Sequence, residues 1–268
     1  MQSWKSYDSV AATHERLSAG LLFEPPAREM IGALEIPPGA RTLDVGTGTG
    51  VAALIAKEKV GEAGIVAAID PSLVMLRVAR GKGIDRVVHA VAPGIPFRDG
   101  LFDRVFANFV ISHIADAESA LLDMVRVLRP GGRLGVTAWT DEQDPPRKLW
   151  QEVADSFVQP DRWREALQAA LPSEDRYTDP VQLEQALAGA GLDSVTVRRV
   201  ENIMRVDRED FLAMREASTQ TRFLRSNLDE DQWNRFREQA REALAKNFPE
   251  RMEHRRSAWI AVGVKRVG

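Results

Sequence analysis

The sequence contains no cysteine, only two tyrosines and no long apolar run. Without cysteine the chain can form neither disulfides nor thiolate metal sites, and mechanisms with a cysteine nucleophile are excluded. No segment approaches the roughly 20 apolar residues that a membrane-spanning helix needs, and the N-terminus lacks the apolar stretch of a signal peptide. We therefore expect a cytoplasmic protein with no membrane insertion.

An excess of positive charge is also absent, since the formal net charge is -3 at pH 7. Binding to nucleic acid depends on clustered lysine and arginine, so nucleic acid is not an expected partner. The 268 residues, with 44% hydrophobic and 28% charged side chains, have the composition of an ordinary globular protein. This length suits one large α/β domain.

Short apolar segments rich in β-branched residues alternate with helical segments along the first half of the chain. Such segments are typical of buried parallel strands, and the alternation with helices predicts a sheet built from right-handed crossovers. The predicted strands are 41–46, 65–69, 86–90, 103–108, 132–138, 194–200 and 258–265, and the clearest predicted helices are 51–59, 72–80, 117–128, 180–190, 207–217 and 229–244.

Two helical insertions interrupt the late part of this pattern. They contain Trp150, Trp163 and Trp233, half of the six tryptophans. These side chains either form the core of a helical cap or line an apolar substrate pocket beneath it, and the sequence leaves both interpretations open.

The segment LDVGTGTG places three glycines between a predicted strand and a predicted helix. Glycine permits a tight turn and leaves backbone amides open to a ligand. A dinucleotide-binding G-x-G-x-x-G motif that starts at Gly46 needs glycine at position 51, where this chain has Val51. The turn therefore indicates a nucleotide-like ligand without identifying it.

A carboxylate at the end of the next strand, Asp70 in IVAAID, strengthens this interpretation. In a doubly wound sheet the carboxyl ends of neighbouring strands border the ligand crevice, where a carboxylate can accept both hydroxyls of a ribose. Asp70 followed by Pro71 is also a typical helix start, with Asp70 as the N-cap. Both roles are compatible.

Four motifs in register, LDVGTGTG, AAIDPSLVMLRVAR, PFRDGLFDRVFANFVISHI and VLRPGGRLGVTAW, resemble the class I S-adenosylmethionine-dependent methyltransferases. The resemblance is to the branch of the ubiquinone and menaquinone C-methyltransferases and many natural-product methyltransferases. It covers residues 40–140 well and extends to 180–200. It implies an α/β fold with a doubly wound, mostly parallel, seven-stranded Rossmann-like sheet, an antiparallel last strand and helical cap insertions.

The resemblance also implies a domain layout. The whole chain, 1–268, is then a single methyltransferase domain. Its parts are an N-terminal helical arm or lid at 1–35, a cofactor-binding core at 36–140, helical cap insertions at 141–178 and 201–256, and the end of the sheet at 180–200 and 257–268.

For the methionine half of S-adenosylmethionine, the resemblance implies contacts from the glycine turn and the end of strand four. Gly46, Thr47 and Gly48 pass beneath the methionine, and Asp44 reaches its amino group. The backbone carbonyl of Asn108 accepts from the same ammonium group.

For the adenosine half, the resemblance implies that Asp70 binds the ribose and that Pro71 and Met75 pack on adenine. Relatives often have an aspartate that binds the adenine amino group, followed by a small residue, a few positions before Pro-Phe. Here that place is occupied by Val91 and Ala92, and valine cannot accept the bond. Backbone groups or packing must then hold adenine, at a loss of about 1 kcal/mol.

A base is needed if the acceptor is an unactivated hydroxyl or a carbon acid. His113 follows strand four in NFVISHIAD, a loop that also places Phe109 beside the cofactor. His113 is either that base or a structural histidine. His14 is a weaker candidate in the N-terminal arm, where Tyr7 contributes to a lid over the cofactor.

Other charged groups are predicted to be structural. Asp141, Glu142 and Asp144 follow strand five without a partner after strand four, so we interpret them as a solvated loop and predict no metal site. The run RMEHRR, which contains His254, is predicted to be a solvated turn before the last strand.

These observations predict a methyltransferase that uses S-adenosylmethionine to methylate O, N or C of a small, apolar or aromatic acceptor. A homodimer is compatible with this. One alternative is an NAD(P)-dependent oxidoreductase, which Val51 and the RPGG turn disfavour. The other is a protein that binds the cofactor without transferring its methyl group.

Overall fold

The computed structural model describes residues 14–267. In this part of the chain seven strands form one sheet, in the order 3-2-1-4-5-7-6. The last strand is antiparallel to both of its neighbours, and the other pairs are parallel, which confirms the predicted topology. The strands are β1 (Arg41–Val45), β2 (Ile65–Asp70), β3 (Arg86–His89), β4 (Phe102–Asn108), β5 (Leu128–Trp139), β6 (Leu192–Asp207) and β7 (Arg251–Lys265).

Helices separate the strands and form the cap. A π-helix, His14–Phe23, comes first, and a 3-10 turn, Ile111–His113, follows β4. The α-helices are α1 (Glu24–Ala33), α2 (Val51–Val60), α3 (Leu73–Gly81), α4 (Ala117–Val127), α5 (Pro145–Asp155), α6 (Pro160–Ala170), α7 (Glu174–Tyr177), α8 (Pro180–Gly189), α9 (Arg208–Glu216), α10 (Thr219–Asn227) and α11 (Glu230–Asn247). No helix within residues 14–267 is long and apolar enough to cross a membrane.

The sheet is covered by apolar layers on both faces because side chains alternate along its strands. In β4, Val105 and Ala107 pack into the layer that contains α4 and α8, whereas Phe106 packs into the layer that contains α1 and α2. All three side chains are fully buried. Strands buried on both faces explain the continuous apolar runs that predicted them.

β6 and β7 are longer than the sequence predicts. Their pairing continues from Asn202 opposite Arg256 to Asp207 opposite Arg251, so RMEHRR is strand rather than a solvated turn. Within it, burial alternates: Met252 and His254 are buried, and the residues beside them are exposed. A half-buried strand needs only every second side chain to be apolar or paired, which explains why so polar a run can form one.

The cap has an apolar core of its own, formed by α5, α6, α9, α10 and α11 with the distal ends of β6 and β7. Trp150, Trp163 and Trp233 all lie in it, with at most 8% of each side chain exposed. Of the two interpretations left open by the sequence, cap packing is the one observed. The N-terminal π-helix also contacts the cap, because the Asn202 side chain donates to the Leu21 carbonyl over 2.8 Å.

Candidate functional site

The glycine turn and Asp70 meet at the carboxyl ends of β1 and β2. Oδ2 of Asp70 accepts a hydrogen bond from the Gly48 amide over 2.8 Å, and Oδ1 accepts one from the Ser72 amide over 2.8 Å. Ser72, not Asp70, is the N-cap of α3, since its hydroxyl accepts from the Met75 amide over 3.1 Å. The predicted N-cap role of Asp70 is therefore wrong, and its carboxylate faces the glycine turn instead.

The three glycines of the turn all have positive φ, at 69°, 54° and 90°. A Cβ on Gly46 would lie 2.5 Å from a methyl group of Val110, so no larger residue fits there. A Cβ on Gly48 would meet nothing within 4 Å. The space in front of Gly48 is thus open to a ligand, as the close approach of a cofactor to this turn requires.

Asp44 is a fully buried carboxylate beneath this turn. Its Oδ2 accepts from the Thr47 hydroxyl over 2.8 Å, while Oδ1 has no hydrogen-bond partner among the described residues. The pKa of Asp44 is raised to about 7, mainly by burial and also by the charge of Asp70, while hydrogen bonds from Thr47 and the Ala53 amide oppose the rise. A buried carboxylate oxygen without a partner suits a cationic ligand group, so the site fits the methionine ammonium.

The residues expected around adenine lie beyond β2 and β3. Met75 is buried, Pro71 is exposed, and Val91 is 56% exposed. The His89 ring is 2.9 Å from the Pro71 carbonyl, which ties the ends of the two strands together. Ala92 is half-buried. Contacts of these residues with adenine stay a prediction.

A hydroxyl network fixes the end of β4. Thr137 donates to Oδ1 of Asn108 over 2.8 Å and accepts from the Phe109 amide over 2.8 Å. Phe109 has φ of 59°, an unfavourable backbone conformation for a bulky side chain. Its ring stacks on Trp139 with 3.7 Å between centroids and meets Phe23 edge-on at 5.5 Å. These packed rings hold Phe109 in place.

A cavity of about 130 Å³ lies between these rings and the cap. Phe23, Trp139 and His113 line one side of it, and cap residues line the other. The aromatic side chains in its wall therefore come from the arm and β5. None of the three cap tryptophans belongs to the wall, which agrees with their packing in the cap core.

His113 is the sequence-predicted base candidate that the cavity wall contains. More than a third of its surface is accessible. Desolvation of the ring by the surrounding protein and the charge of the nearby Arg222 lower its pKa to about 4, and a backbone hydrogen bond with Ala170 opposes this. His14 begins the π-helix, and Tyr7 lies outside the described residues, so their roles stay predictions.

Charged residues that the sequence analysis missed also line the cavity, namely Arg147, Arg215, Arg256 and Glu174. They come from α5, α9, β7 and α7, more than 100 residues apart at the extremes. In the sequence, none of the four differs from the many charged residues that lie on the exposed faces of helices and strands. The one available indication was strand alternation, which places Arg256 on the opposite face of β7 from the exposed Arg255.

Two of the carboxylates after β5 are paired, and one of these two is buried. Asp144 is buried: it caps α5 by accepting from the Arg147 amide, and its Oδ2 lies 2.8 Å from Nδ1 of His254. Oε2 of Glu142 accepts from the Ser257 hydroxyl over 2.9 Å and from Arg199. The solvated-loop interpretation is therefore wrong for Asp144, whereas Glu142 lies in the loop and is exposed, as predicted. Within residues 14–267, no three His, Asp or Glu side chains converge as metal ligands.

A doubly wound sheet with a glycine turn after β1 and an acid after β2 defines an α/β protein that binds an adenosine-containing cofactor. Residues 43–136 match the protein family described as a methyltransferase domain. The ubiquinone/menaquinone biosynthesis C-methyltransferase of Paraburkholderia phymatum is 30% identical over 206 residues, which cover 70% of this chain and 83% of that protein.

Two further comparisons agree with this. Aklanonic acid methyltransferase of a Streptomyces species is 32% identical over 145 residues, or 51% of this chain and 64% of that protein. The crystal structure of the Bacillus YcgJ protein superimposes with a TM-score of 0.58 at 20% identity, covering 91% of this chain and 99% of that one. The chain belongs to the class I S-adenosylmethionine-dependent methyltransferases, in the branch that includes the ubiquinone and menaquinone C-methyltransferases.

S-adenosylmethionine is thus the methyl donor, and the acceptor is a small molecule. The oxidoreductase alternative is not favoured. The donor brings its own reactivity as a sulfonium, so the tasks of the protein are to bind, to align the acceptor and to manage a proton.

Proposed function

We propose that the enzyme methylates a largely apolar or aromatic acceptor in the cavity between β4, β5 and the cap. The observation that carries the proposal is the aromatic wall beside the end of β4, where Phe109 stacks on Trp139 and Phe23 packs on both rings. Flat apolar faces with a few polar groups are typical of small-molecule sites.

In this proposal the cofactor lies across the carboxyl ends of β1, β2 and β4. Gly46, Thr47 and Gly48 pass beneath its methionine half, and the unpartnered Oδ1 of Asp44 accepts from its ammonium group. The carbonyl of Asn108 accepts from the same group.

At the adenosine half, the Asp70 carboxylate, each oxygen of which accepts from a backbone amide, also accepts from the ribose hydroxyls. Pro71, Met75, Val91 and Ala92 border the adenine.

His113 acts as the general base for acceptors that must lose a proton. With a pKa lowered to about 4, its imidazole is neutral at pH 7 and can accept one. A base with so low a pKa is weak, so it suits a phenol or an acidic carbon rather than an alcohol. Positioning of the acceptor in line with the methyl carbon supplies much of the remaining rate.

The test combines cofactor binding with methyl transfer. Calorimetry with S-adenosylhomocysteine and with NAD measures cofactor preference, and transfer from methyl-labelled S-adenosylmethionine to a panel of phenols, hydroxyquinones and β-dicarbonyl compounds measures activity. We expect binding of S-adenosylhomocysteine and label in an aromatic acceptor. Binding without transfer to any member would favour a non-catalytic cofactor-binding protein.

The finer organisation of the protein is part of the proposal. The lid predicted at 1–35 lies partly outside the described residues. Residues 36–140 bind the cofactor, and the cap segments within 141–178 and 201–256 select the acceptor. A homodimer and a cytoplasmic location stay predictions, to be measured by sedimentation and by imaging.

A further inference from the structure

The cavity wall carries more positive than negative charge. Arg147, Arg215 and Arg256 line it, and Glu174 is the one carboxylate among the described lining residues. Asp144 lies behind the wall, where His254 and backbone amides already bind its oxygens. Three guanidinium groups thus face two carboxylates.

The histidines do not alter this balance. Burial lowers the pKa of His254 below its usual value, more than Asp144 raises it, so its ring is neutral at pH 7. The pKa of His113 is about 4, so that ring is neutral too. Arg222, buried close to His113, adds a further positive charge.

Arg215 is 92% buried, since only 8% of its surface is exposed. Its Nη2 donates to Oε1 of Gln220 over 2.5 Å, and its guanidinium lies 4.2 Å above the ring of Trp150. Its Nε is buried without an acceptor among residues 14–267, and the same is true of Nε of Arg147. Buried donors of a charged group normally have partners, so these two indicate a missing acceptor.

The side chain of Arg256 has neither a hydrogen bond nor an ion pair in the part of the chain that the structure describes. Its guanidinium lies 4.1 Å from the centre of the Trp139 ring. Burial, Arg147 and Arg215 lower its pKa, and Glu174 opposes them only partly. Because arginine keeps its proton in proteins, the balance has to come from an anion.

We propose that these arginines bind a carboxylate group of the methyl acceptor, an inference that rests on the proposed function. The planar fork of a guanidinium matches the two oxygens of a carboxylate, and the negative charge of a carboxylate offsets part of the excess positive charge around the cavity. Trp139 contacts both the arginines and the aromatic wall, because Arg256 lies against its ring and Phe109 stacks on it. The acceptor is therefore an aromatic acid, with its ring near Phe23 and Trp139.

The test uses benzoate and benzamide, which have nearly the same shape and differ in charge. A single ring suits the 130 Å³ cavity, since an apolar cavity of about 150 Å³ admits benzene. The complex of the full chain with S-adenosylhomocysteine is titrated with each compound by calorimetry. We expect benzoate to bind at least tenfold more tightly than benzamide, and Arg256→Gln to abolish that preference.

Arg251→Gln is the matched control, because Arg251 is an exposed arginine of the same strand outside the cavity wall. It should keep the preference for benzoate. A second readout is thermal unfolding: benzoate should raise the melting temperature of the wild type and leave that of Arg256→Gln unchanged.

Equal binding of benzoate and benzamide to the wild type overturns the proposal, whatever the variants do. Tighter binding of phenyl phosphate than of benzoate overturns the assignment to a carboxylate. If S-adenosylhomocysteine binds normally while benzoate shows no preference, only this inference fails. If S-adenosylhomocysteine does not bind, the proposed cofactor site itself is wrong.

Discussion

The amide of Gly48 donates a hydrogen bond to Oδ2 of Asp70 over 2.8 Å, between the turn after β1 and the end of β2. The fold itself therefore holds together the glycine turn and the acid proposed to bind the ribose. Oδ1 of the same carboxylate is fixed by the Ser72 amide. Both oxygens are positioned before a ligand arrives, which reduces the entropy lost on binding.

Asp70→Asn should weaken binding of S-adenosylhomocysteine about ten- to a hundredfold. Asparagine has one acceptor oxygen and no charge, so it cannot keep both backbone bonds and also bind both hydroxyls, and hydrogen bonds to charged groups contribute about 1.5–3 kcal/mol. Calorimetry measures the change. Asp85→Asn, at an exposed acid before β3, is the control and should leave the affinity unaltered.

Gly48→Ala should mainly weaken cofactor binding, whereas Gly46→Ala should mainly destabilise the fold. The added methyl group at position 48 meets open space, so the protein should fold with a loss of about 1–2 kcal/mol for its positive φ, but lose affinity for S-adenosylhomocysteine. At position 46 the methyl group collides with Val110, so the free energy of unfolding should fall by more. Urea denaturation and calorimetry on both variants check this, and tight binding by Gly48→Ala would contradict the proposed path of the cofactor.

Asp44→Asn should raise the stability of the cofactor-free protein at pH 8 while weakening cofactor binding. The pKa of the Asp44 carboxyl group is about 7 in the folded protein and 3.8, its ordinary value, in the unfolded chain. Between pH 3.8 and 7 the folded state therefore binds more protons than the unfolded state, and the protein loses stability as the pH rises through this range. Asparagine avoids this loss, which has an upper limit of about 4 kcal/mol.

The wild type should also bind S-adenosylhomocysteine more tightly at pH 8 than at pH 6. The ammonium group favours the ionised form of Asp44, so binding releases a proton. Calorimetry in buffers of different ionisation enthalpy measures that proton. An affinity that does not change with pH would show that the ammonium group lies elsewhere.

His113→Gln should slow methyl transfer about 10²- to 10⁴-fold for acceptors that must lose a proton, because general-base catalysis contributes that much. Its affinity for S-adenosylhomocysteine should stay within twofold. With the cofactor saturating, so that the titration of Asp44 does not limit binding, the wild-type rate should fall near pH 4, where His113 gains its proton. An acceptor that is already ionised at the assay pH is the control and should be nearly insensitive to the substitution.

Asp144→Ala should lower the free energy of unfolding by about 3 kcal/mol, since it removes the cap of α5 and the partner of His254. The exposed Asp141→Ala is its control and should change stability by less than about 0.5 kcal/mol. Urea denaturation at pH 7.5 measures both.

Acid should lower the stability of the wild type through both residues of this pair. The pKa of Asp144 is lowered below 3.8, and that of His254 is lowered below 6.5. As pH falls below about 6.5, the unfolded state gains the histidine proton before the folded state does, and below about 4 it gains the carboxyl proton first. Stability should therefore decline from pH 7 toward pH 4, with a larger decline in Asp144→Ala, because Asp144 raises the pKa of His254 in the folded state.

The two long strands show where prediction from sequence failed. In the distal half of β6, Asn202 is buried and Ile203 is 48% exposed. Alternation decides burial here, because Asn202, Met204 and Val206 face inward whatever their polarity. The sequence alternates with a period of two here. The pattern is difficult to recognise because the inward Asn202 is polar and because the run before the predicted β7 is basic.

The sequence by itself determined the sheet core and the class of cofactor. The glycine turn follows β1 and Asp70 ends β2, and the apolar runs of the sequence predict both strands. Because the carboxyl ends of parallel strands meet at one edge of the sheet, the sequence was sufficient to place the turn and the acid together. The tertiary structure alone decided the acceptor side. Arg147, Arg215 and Arg256 belong to three distant elements, and their charges become significant only when folding brings them together out of bulk water.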